Sequence, residues 1–292
     1  MKDRVQSYYN ANTRIFLASE ARKSRRRFLH RQLALPQASA TPSDGVHQTL
    51  VAALDAAGTF ENPTPLILDL GCGVGGTLSW LAATTTARVA GITLSEVQAA
   101  IAQTRFAGEG SRCRIAVGSF EDPGALAPIC RDQQADAAYM IESFVHAGEP
   151  DAVFKSVSRH ARAGAVLVII DDFPAPDLEA RLGRPGARRI QRLVDDFRDG
   201  WRINTFKPAP AVLETAASLG WHLEAEHDLT PYVVTSRFRD LLARSSRGVL
   251  RPLKGRINYV DNVVGGGALQ RLIRMRLIRY QMLVLRFAPA TE

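Results

Sequence analysis

Cysteine is scarce in this sequence. The three cysteines, Cys72, Cys113 and Cys130, form no CxxC pair, and an odd, sparse set does not make a disulfide framework or a zinc knuckle. The longest apolar run, Ala163–Ile170, is far shorter than the roughly 18 residues that a membrane span needs. The N-terminus carries charges where a secretory signal would be apolar. We therefore expect a reduced, cytoplasmic protein with no stable membrane insertion.

Lysine and aromatic residues are also few. Only 5 of the 37 basic residues are lysine, and aromatic residues make up 7% of the chain. No recognised RNA-binding module accompanies the net charge of +8, so a nucleic-acid partner is not expected. The basic excess lies in the flanks, because residues 61–172 carry 8 basic and 13 acidic residues while the rest carries 29 and 16. Arginine suits a bidentate grip on phosphate, and a solvated surface is the plainer explanation of the same charge.

The overall composition is typical of a globular protein. The chain has 292 residues, 46% of them hydrophobic, which allows one large domain or two small ones. Apolar runs alternate with helix-compatible stretches up to Asp172, and this alternation predicts a parallel sheet with right-handed crossovers and helices on both faces. Strands are predicted at Leu66–Leu70, Arg88–Ile92, Cys113–Val117, Ala135–Ile141, Ala165–Ile170, His222–His227 and Tyr280–Phe287.

The two ends of the chain depart from this alternation. Residues 1–60 contain two helical stretches and no predicted strand. Residues 61–292 form the main domain, with helical inserts near 174–207 and 231–278. The basic, amphipathic stretch Leu269–Tyr280 suits either an anionic membrane surface or packing on its own sheet.

A glycine-rich turn follows the first predicted strand. Gly71, Gly73 and Gly76 fit GxGxxG between a strand and a helix, where glycines let the backbone approach a ligand and the helix N-terminus supplies amide donors. This spacing alone fits a dinucleotide fold equally well. Two details favour another ligand: Asp69 would repel a pyrophosphate but pair with an ammonium group, and the second strand ends at Thr93 instead of the acid that a nicotinamide fold uses.

Several stretches of the sequence resemble one family. The first motif of the class I S-adenosylmethionine-dependent methyltransferases is similar to ILDLGCGVGGTLSWLA, and the second motif of their sterol, tocopherol and cyclopropane-lipid branch is similar to VAGITLSEVQ. The fourth-strand motif of sterol and prenyl-diphosphate C-methyltransferases is similar to AYMIESFVHAGEP, and their N-terminal lid is similar to YYNANTRIFL and RRRFLHRQLALP. The resemblance implies an α/β fold: a seven-stranded Rossmann-like methyltransferase sheet, mostly parallel with an antiparallel last strand, under a helical lid formed by residues 1–60 and the inserts.

The resemblance also implies S-adenosylmethionine as the cofactor. Thr93 stands where many relatives have an acid for the ribose hydroxyls, and Gln98 is expected to supply compensating contacts. Ser119 stands where many relatives have an aspartate for the adenine amino group, and Phe120 is expected either to stack on the adenine or to pack in the core. The residues predicted to bind the cofactor are Asp69, Gly71, Cys72, Gly73, Thr93, Gln98, Ser119, Phe120 and Glu142.

Glu142 follows the fourth strand at its carboxyl end, where ligands bind in such sheets. Methylation of an alkene carbon leaves a carbocation, which needs a negative or π-rich wall and finally a base. We predict that Glu142 stabilises this cation and that His146, four residues later, is the final base or a hydrogen-bond partner of Glu142. The plainer alternatives are a capping role for Glu142 and a structural role for His146.

The favoured activity is carbon methylation of an isoprenoid or lipid-like small molecule. A short prenyl diphosphate is the leading substrate, since arginines would bind its anionic end. Mg²⁺ is expected only if the substrate is a diphosphate. The adjacent Asp171 and Asp172 would either bind this ion or cap the next segment, and no residue is assigned as a metal ligand. The alternatives are O- or N-methylation of a specialised metabolite and cofactor binding without methyl transfer, and a homo-oligomer stays open. Substrate contacts are predicted at Tyr8, Tyr9, Arg26, Arg31, Phe144 and Arg188.

Overall fold

The computed structural model describes residues 5–10, 13, 30–36, 44–108, 112–131, 133–234 and 258–289. Seven strands within these residues form one sheet: β1 Leu66–Leu70, β2 Arg88–Thr93, β3 Cys113–Val117, β4 Ala135–Ile141, β5 Ala161–Pro174, β6 Trp221–Asp228 and β7 Ile278–Phe287. The strand order is β3-β2-β1-β4-β5-β7-β6. Strands β1 to β5 pair in parallel, and β7 runs antiparallel to both of its neighbours. This confirms the predicted fold class.

Helices cover both faces of the sheet. Their bounds are α1 Gly45–Ala56, α2 Gly76–Thr84, α3 Glu96–Arg105, α4 Pro123–Cys130, α5 Pro150–Ser158, α6 Leu178–Leu182, α7 Arg188–Trp201, α8 Ala209–Ala217 and α9 Asn258–Arg274. Residues 5–10 are also helical. None of these helices is long and apolar enough to cross a membrane. Ser95 caps the N-terminus of α3, because its Oγ accepts from the N–H of Gln98 at 3.2 Å.

Three apolar clusters hold these layers together. On one face, α4, α5 and α8 pack on the sheet through Leu126, Phe154 and Val212. On the other face, α1 and α2 pack through side chains such as Leu50 and Leu81. Each such side chain contributes roughly 1.5–3 kcal/mol when it is fully buried. The third cluster joins α7 to α9, so these two helices form one helical cap at the end of β5.

Two segments differ from their predictions. Strand β5 extends to Pro174, because its antiparallel pairing with β7 continues through Asp172, which lies opposite Tyr280. The two aspartates therefore lie inside the strand and do not follow it. The stretch predicted as one amphipathic unit is divided, because α9 ends at Arg274 and β7 begins at Ile278.

Residues 32–34 pair with the turn that follows β6. Leu33 forms a β-bridge with Val233. The N–H of Ala34 donates to the carbonyl of Tyr232 at 2.8 Å, and the N–H of Val234 donates to the carbonyl of Gln32 at 3.0 Å. These bonds fix residues 30–36, which we call the N-terminal segment.

A buried carboxylate, Asp136, fixes the amino-terminal edge of the sheet. Its Oδ2 accepts from the N–H of Leu66 at 2.9 Å, and the Asn62 amide donates to its two oxygens at 3.1 and 3.2 Å. Arg162 Nε donates to Oδ1 at 2.8 Å. These bonds connect the starts of β1, β4 and β5.

We predict that Asp136→Ala lowers the free energy of unfolding by about 2–3 kcal/mol, because it leaves the buried N–H of Leu66 without its acceptor. Urea denaturation measures this change. Asp55→Ala on the exposed face of α1 is the control, with an expected change within about 0.5 kcal/mol. Equal losses in the two variants would contradict this role of Asp136.

Candidate active site

The loop after β1 is tied to the ends of β2 and β4. The N–H groups of Gly71 and Cys72 both donate to the carbonyl of Ile92 at 2.9 Å, and Ser143 Oγ donates to the carbonyl of Leu70 at 2.6 Å. A Cβ on Gly71 would lie 2.5 Å from Ser143 Cβ, and the φ of Gly71 is +105°. Only glycine fits this position without strain.

Beyond this contact the loop borders open space. Gly73 has a φ of +53°, and the atom nearest to a Cβ built there is Gln98 Nε2 at 4.0 Å. The preceding strand residue Asp69 is buried and accepts from the Tyr139 hydroxyl at 2.7 Å, and burial raises the pKa of its carboxyl to about 7. Helix α2 begins at Gly76, so unpaired amides of its first turn lie at the loop. A ligand therefore has access to the backbone of this loop.

The ends of β2 and β3 carry the other predicted cofactor contacts. Thr93 Oγ1 donates to Gln98 Oε1 at 2.9 Å, so these two residues lie together. Ser119 is buried, and Phe120 is 7% exposed within the core. The Phe120 ring also comes within 3.9 Å of a Cβ built on Gly71. The structure thus brings the residues after β1, β2 and β3 to one place.

Glu142 adopts a left-handed backbone conformation, with a φ of +53°. Its N–H donates to the carbonyl of Ile170 at 2.9 Å. Its Oε1 accepts from the N–H of Arg31 at 2.9 Å and from the hydroxyl of Tyr280 at 3.0 Å. A non-glycine residue in this conformation costs roughly 1–3 kcal/mol and persists where surrounding contacts hold it. Strand β5, the N-terminal segment and β7 supply those contacts.

Arg31 links the N-terminal segment to β5. Its guanidinium binds both carboxylate oxygens of Asp172, with a distance of 2.5 Å from Nη1 to Oδ1, and its Cζ lies 4.7 Å from the ring centroid of Tyr280. The preceding residue, His30, forms a hydrogen bond with Thr77 of α2, with 2.9 Å between Nε2 and Oγ1. The segment is therefore anchored at several points around Glu142.

Asp171 and Asp172 do not converge on a common ligand. Asp171 accepts from the N–H of Val145 at 3.1 Å and from the N–H of Asp172 at 2.8 Å. Burial, reinforced by the charge of Asp172, raises the pKa of Asp171 to about 8. Among the described residues, no group of three or more His, Cys, Asp and Glu side chains is placed to hold a metal ion. The two aspartates thus offer no ready Mg²⁺ site.

His146 is paired with Tyr9. The distance between the Tyr9 hydroxyl and His146 Nε2 is 2.8 Å, and the distance between His146 Nδ1 and the carbonyl of Arg202 is 3.2 Å. The described hydrogen bonds to Glu142 come from other residues. The backbone reverses at Glu142, so no continuous helix aligns it with the residue four positions later as predicted. The charge of Glu142 still acts on both Tyr9 and His146.

Two predicted substrate contacts belong to packed interfaces. Phe144 is fully buried and packs against Phe154 and Phe173, with ring centroids 6.1 and 6.3 Å away. Tyr8 is 2% exposed, and its hydroxyl donates to Asn262 of α9. The structure therefore assigns Phe144 to the core and Tyr8 to the junction with the helical cap.

The predicted arginine contacts are separated. Arg31 lies beside Glu142, whereas Arg184, Arg188 and Arg192 line an open groove of about 710 Å³ formed by α6, α7 and their connection. Arg26 lies outside the described residues.

Several residues of the site were missed in the sequence. Tyr139 and Tyr280 stand in apolar strand runs, where aromatic residues usually indicate core packing. Asn10 accepts from Ser95 Oγ at 2.5 Å and so ties the first helical stretch to the end of β2. A signal existed for Tyr280, because an antiparallel pair of the last and fifth strands brings it opposite one of the acids at the end of β5.

The fold and part of the sequence resemble those of methyltransferases. Residues 67–164 match the family model described as a methyltransferase domain. The geranyl diphosphate C-methyltransferase of Streptomyces coelicolor A3(2), solved with Mg²⁺, geranyl-S-thiolodiphosphate and S-adenosyl-L-homocysteine, superposes with a TM-score of 0.64 at 17% identity over 98% of both chains. At this identity the likeness concerns the fold. The chain shares the fold of this solved methyltransferase, and its residues 67–164 match a methyltransferase domain.

Two curated relatives show which kinds of methyltransferase the sequence resembles. The chain is 34% identical to 24-methylenesterol C-methyltransferase 2 of Oryza sativa subsp. japonica over 166 residues, which cover 56% of this chain and 42% of that protein. It is also 34% identical to O-methyltransferase cnsE of Penicillium expansum over 114 residues, which cover 38% of this chain and 40% of that protein. The chain therefore matches less than half the length of each of these two relatives.

We predict different results for alanine at the two loop glycines. Gly71→Ala combines a positive φ with overlap on Ser143 and should lower the free energy of unfolding by roughly 3 kcal/mol or more. Gly73→Ala should cost only about 1 kcal/mol but weaken S-adenosylmethionine binding at least about tenfold, since its methyl group enters the open space. Urea denaturation and calorimetric titration measure the two quantities. Wild-type affinity in Gly73→Ala would contradict a cofactor site at this glycine.

Proposed function

We propose that this chain is an S-adenosylmethionine-dependent C-methyltransferase that methylates an alkene carbon of a small isoprenoid or lipid-like molecule. The observation that carries the proposal is the position of the Glu142 carboxylate, at the carboxyl end of β4 and held by an amide N–H and a phenol hydroxyl. Neutral donors orient a carboxylate without forming an ion pair with it. Such a group suits a substrate that becomes positively charged during the reaction.

The residues around the glycine loop fit the cofactor. S-adenosylmethionine, when bound, supplies an electrophilic methyl group. The open backbone at Gly73 and the buried Asp69 suit its amino-acid end, with Asp69 acting through the loop. The side chains of Thr93 and Gln98 suit the ribose hydroxyls, and the Phe120 ring suits the adenine. The solved neighbour with S-adenosyl-L-homocysteine supports this choice of cofactor.

The charges at the carboxyl edge leave Glu142 as the group that can face a cation. Asp172 is matched by the guanidinium of Arg31. Burial raises the pKa of Asp171 to about 8, which favours its neutral form. Both described hydrogen bonds to Glu142 end on Oε1, so Oε2 remains available. The ring of Tyr280 adds a π-rich surface beside it.

A short prenyl diphosphate is the leading substrate. Its alkene would react beside Glu142, while its diphosphate would need arginines that are not already neutralised. Arg31 is committed to Asp172, so we assign the anionic end to Arg26 and to Arg188, which lines the groove between α6 and α7. Mg²⁺ would then bind through the diphosphate, and the solved geranyl diphosphate C-methyltransferase contains both.

O-methylation of a specialised metabolite is the second candidate. The identity with O-methyltransferase cnsE favours it, and so does a histidine with a hydrogen-bonded tyrosine near the centre, because O-methylation needs a base for the acceptor hydroxyl. This reaction forms no carbocation. It therefore does not require the charge of Glu142.

Glu142→Gln separates the two candidates, because glutamine retains an acceptor for Arg31 and Tyr280 but has no charge. We expect formation of the methylated product to fall roughly 100- to 1,000-fold. The measurement is S-adenosylhomocysteine release with geranyl diphosphate and, separately, with a 24-methylenesterol.

The matched control is Glu214→Gln on the exposed side of α8, which should keep wild-type turnover. Near-normal turnover in Glu142→Gln would rule out a cation stabilised by this carboxylate.

A further inference from the structure

Tyr9 and His146 form a hydrogen-bonded pair next to Glu142. Their hydroxyl and Nε2 atoms are 2.8 Å apart, and the two rings meet edge to face with centroids 5.5 Å apart. The carboxyl groups of Glu142 and Asp171 both lie close enough to the Tyr9 hydroxyl to raise its pKa beyond the effect of burial, so Tyr9 lies at the same carboxyl edge of the sheet. Cation stabilisation by Glu142 does not use this pair.

The carbonyl of Arg202 determines which nitrogen of His146 carries the proton. This carbonyl lies 3.2 Å from Nδ1, and a carbonyl oxygen can only accept, so Nδ1 bears the hydrogen. In a neutral imidazole, Nε2 then holds a lone pair and accepts from the hydroxyl of Tyr9. The Tyr9 oxygen still has lone pairs for a second donor. The hydrogen-bonded pair can therefore accept a proton at the Tyr9 hydroxyl and hold a proton on His146.

We infer that Tyr9 and His146 form the proton relay that ends the reaction, an assignment that rests on the proposed function. The C–H bond next to the substrate's carbocation breaks, its electron pair forms the new C=C bond, and the proton moves to the Tyr9 oxygen. At the same time the hydroxyl proton of Tyr9 passes to Nε2 of His146, which becomes an imidazolium. His146 releases this proton to solvent by way of Tyr9 after the product leaves.

With this relay, Glu142 stabilises the cation and His146 accepts the proton. A single carboxylate performs these two tasks poorly together. If Glu142 took the proton, it would lose the charge that stabilises the cation. An imidazolium at His146 instead gains from that charge. Burial lowers the pKa of His146, whereas the Arg202 carbonyl and the charge of Glu142 raise it. The carboxylate therefore favours both the cation and its final proton acceptor.

Product analysis tests the relay. Tyr9→Phe keeps the ring and removes the hydroxyl, and His146→Asn keeps a donor for the Arg202 carbonyl but lacks Nε2. Wild-type and variant proteins are incubated with S-adenosylmethionine and either geranyl diphosphate or a 24-methylenesterol. We expect the ratio of methylated alkene to methylated alcohol, formed when water captures the cation, to fall at least roughly tenfold in both variants.

His222→Asn is the matched control, since it makes the same change at an exposed histidine of β6. It should retain the wild-type product ratio. A wild-type ratio in either Tyr9→Phe or His146→Asn would overturn the relay. If the wild-type protein methylates neither alkene, the proposed function fails, and the relay falls with it.

The tautomer provides a readout that does not depend on activity. In ¹⁵N-labelled wild-type protein at neutral pH, with His146→Asn used for assignment, we expect the His146 ring to show a protonated Nδ1 and an unprotonated Nε2. A hydrogen on Nε2 would overturn the relay even if the alkene is methylated, because Nε2 could not then accept the proton of Tyr9.

Discussion

Contacts from residues 111 and 138 positions away hold the Glu142 carboxylate. Strand β4 brings this residue to the carboxyl edge of the sheet, and the left-handed turn at Glu142 ends the strand there. That conformation is unfavourable in isolation. It is retained because the N–H of Arg31 and the hydroxyl of Tyr280 bind the side chain, and because the backbone N–H continues the pairing with β5.

The same contacts make the N-terminal segment part of the site. Arg31 binds Glu142 with its backbone and Asp172 with its side chain, so one residue orients the first carboxylate and neutralises the second. The third carboxyl group, Asp171, has a pKa that burial raises to about 8, which favours its neutral form. A neutral Asp171 reduces the repulsion among the three acids. Of these three acids, Glu142 is the one that we propose to face a cation.

The sequence allowed most of the sheet to be predicted. Apolar runs bounded by turn residues gave β1 and β4 with the observed bounds, because buried parallel strands show their burial directly in hydrophobicity. The half-buried edge strand β3 was also predicted with its observed bounds. The predicted β5 and β7 were shorter than the observed strands. Their extra residues include Asp171, Asp172 and Ile278, and the two acids interrupt the apolar pattern although they lie inside the antiparallel ladder.

The residues of the site were predicted less completely than the sheet. Glycine spacing identified the loop at Gly71 and Gly73, since local backbone geometry requires those residues. The partners of Glu142 and His146 were not identified, because they come from distant segments that only tertiary packing brings together. Phe144, which lies in the fourth-strand motif, is fully buried in the core.

The central claim is that this protein transfers the methyl group to carbon. The direct measurement uses S-adenosylmethionine labelled with ¹³C in its methyl group, incubated with the wild-type protein and, in turn, a prenyl diphosphate, a sterol and a phenolic metabolite. We expect the label to appear in the isoprenoid product, with the ¹³C chemical shift of a methyl group on carbon. A label found only in the shift range of a methyl group on oxygen or nitrogen would contradict this claim.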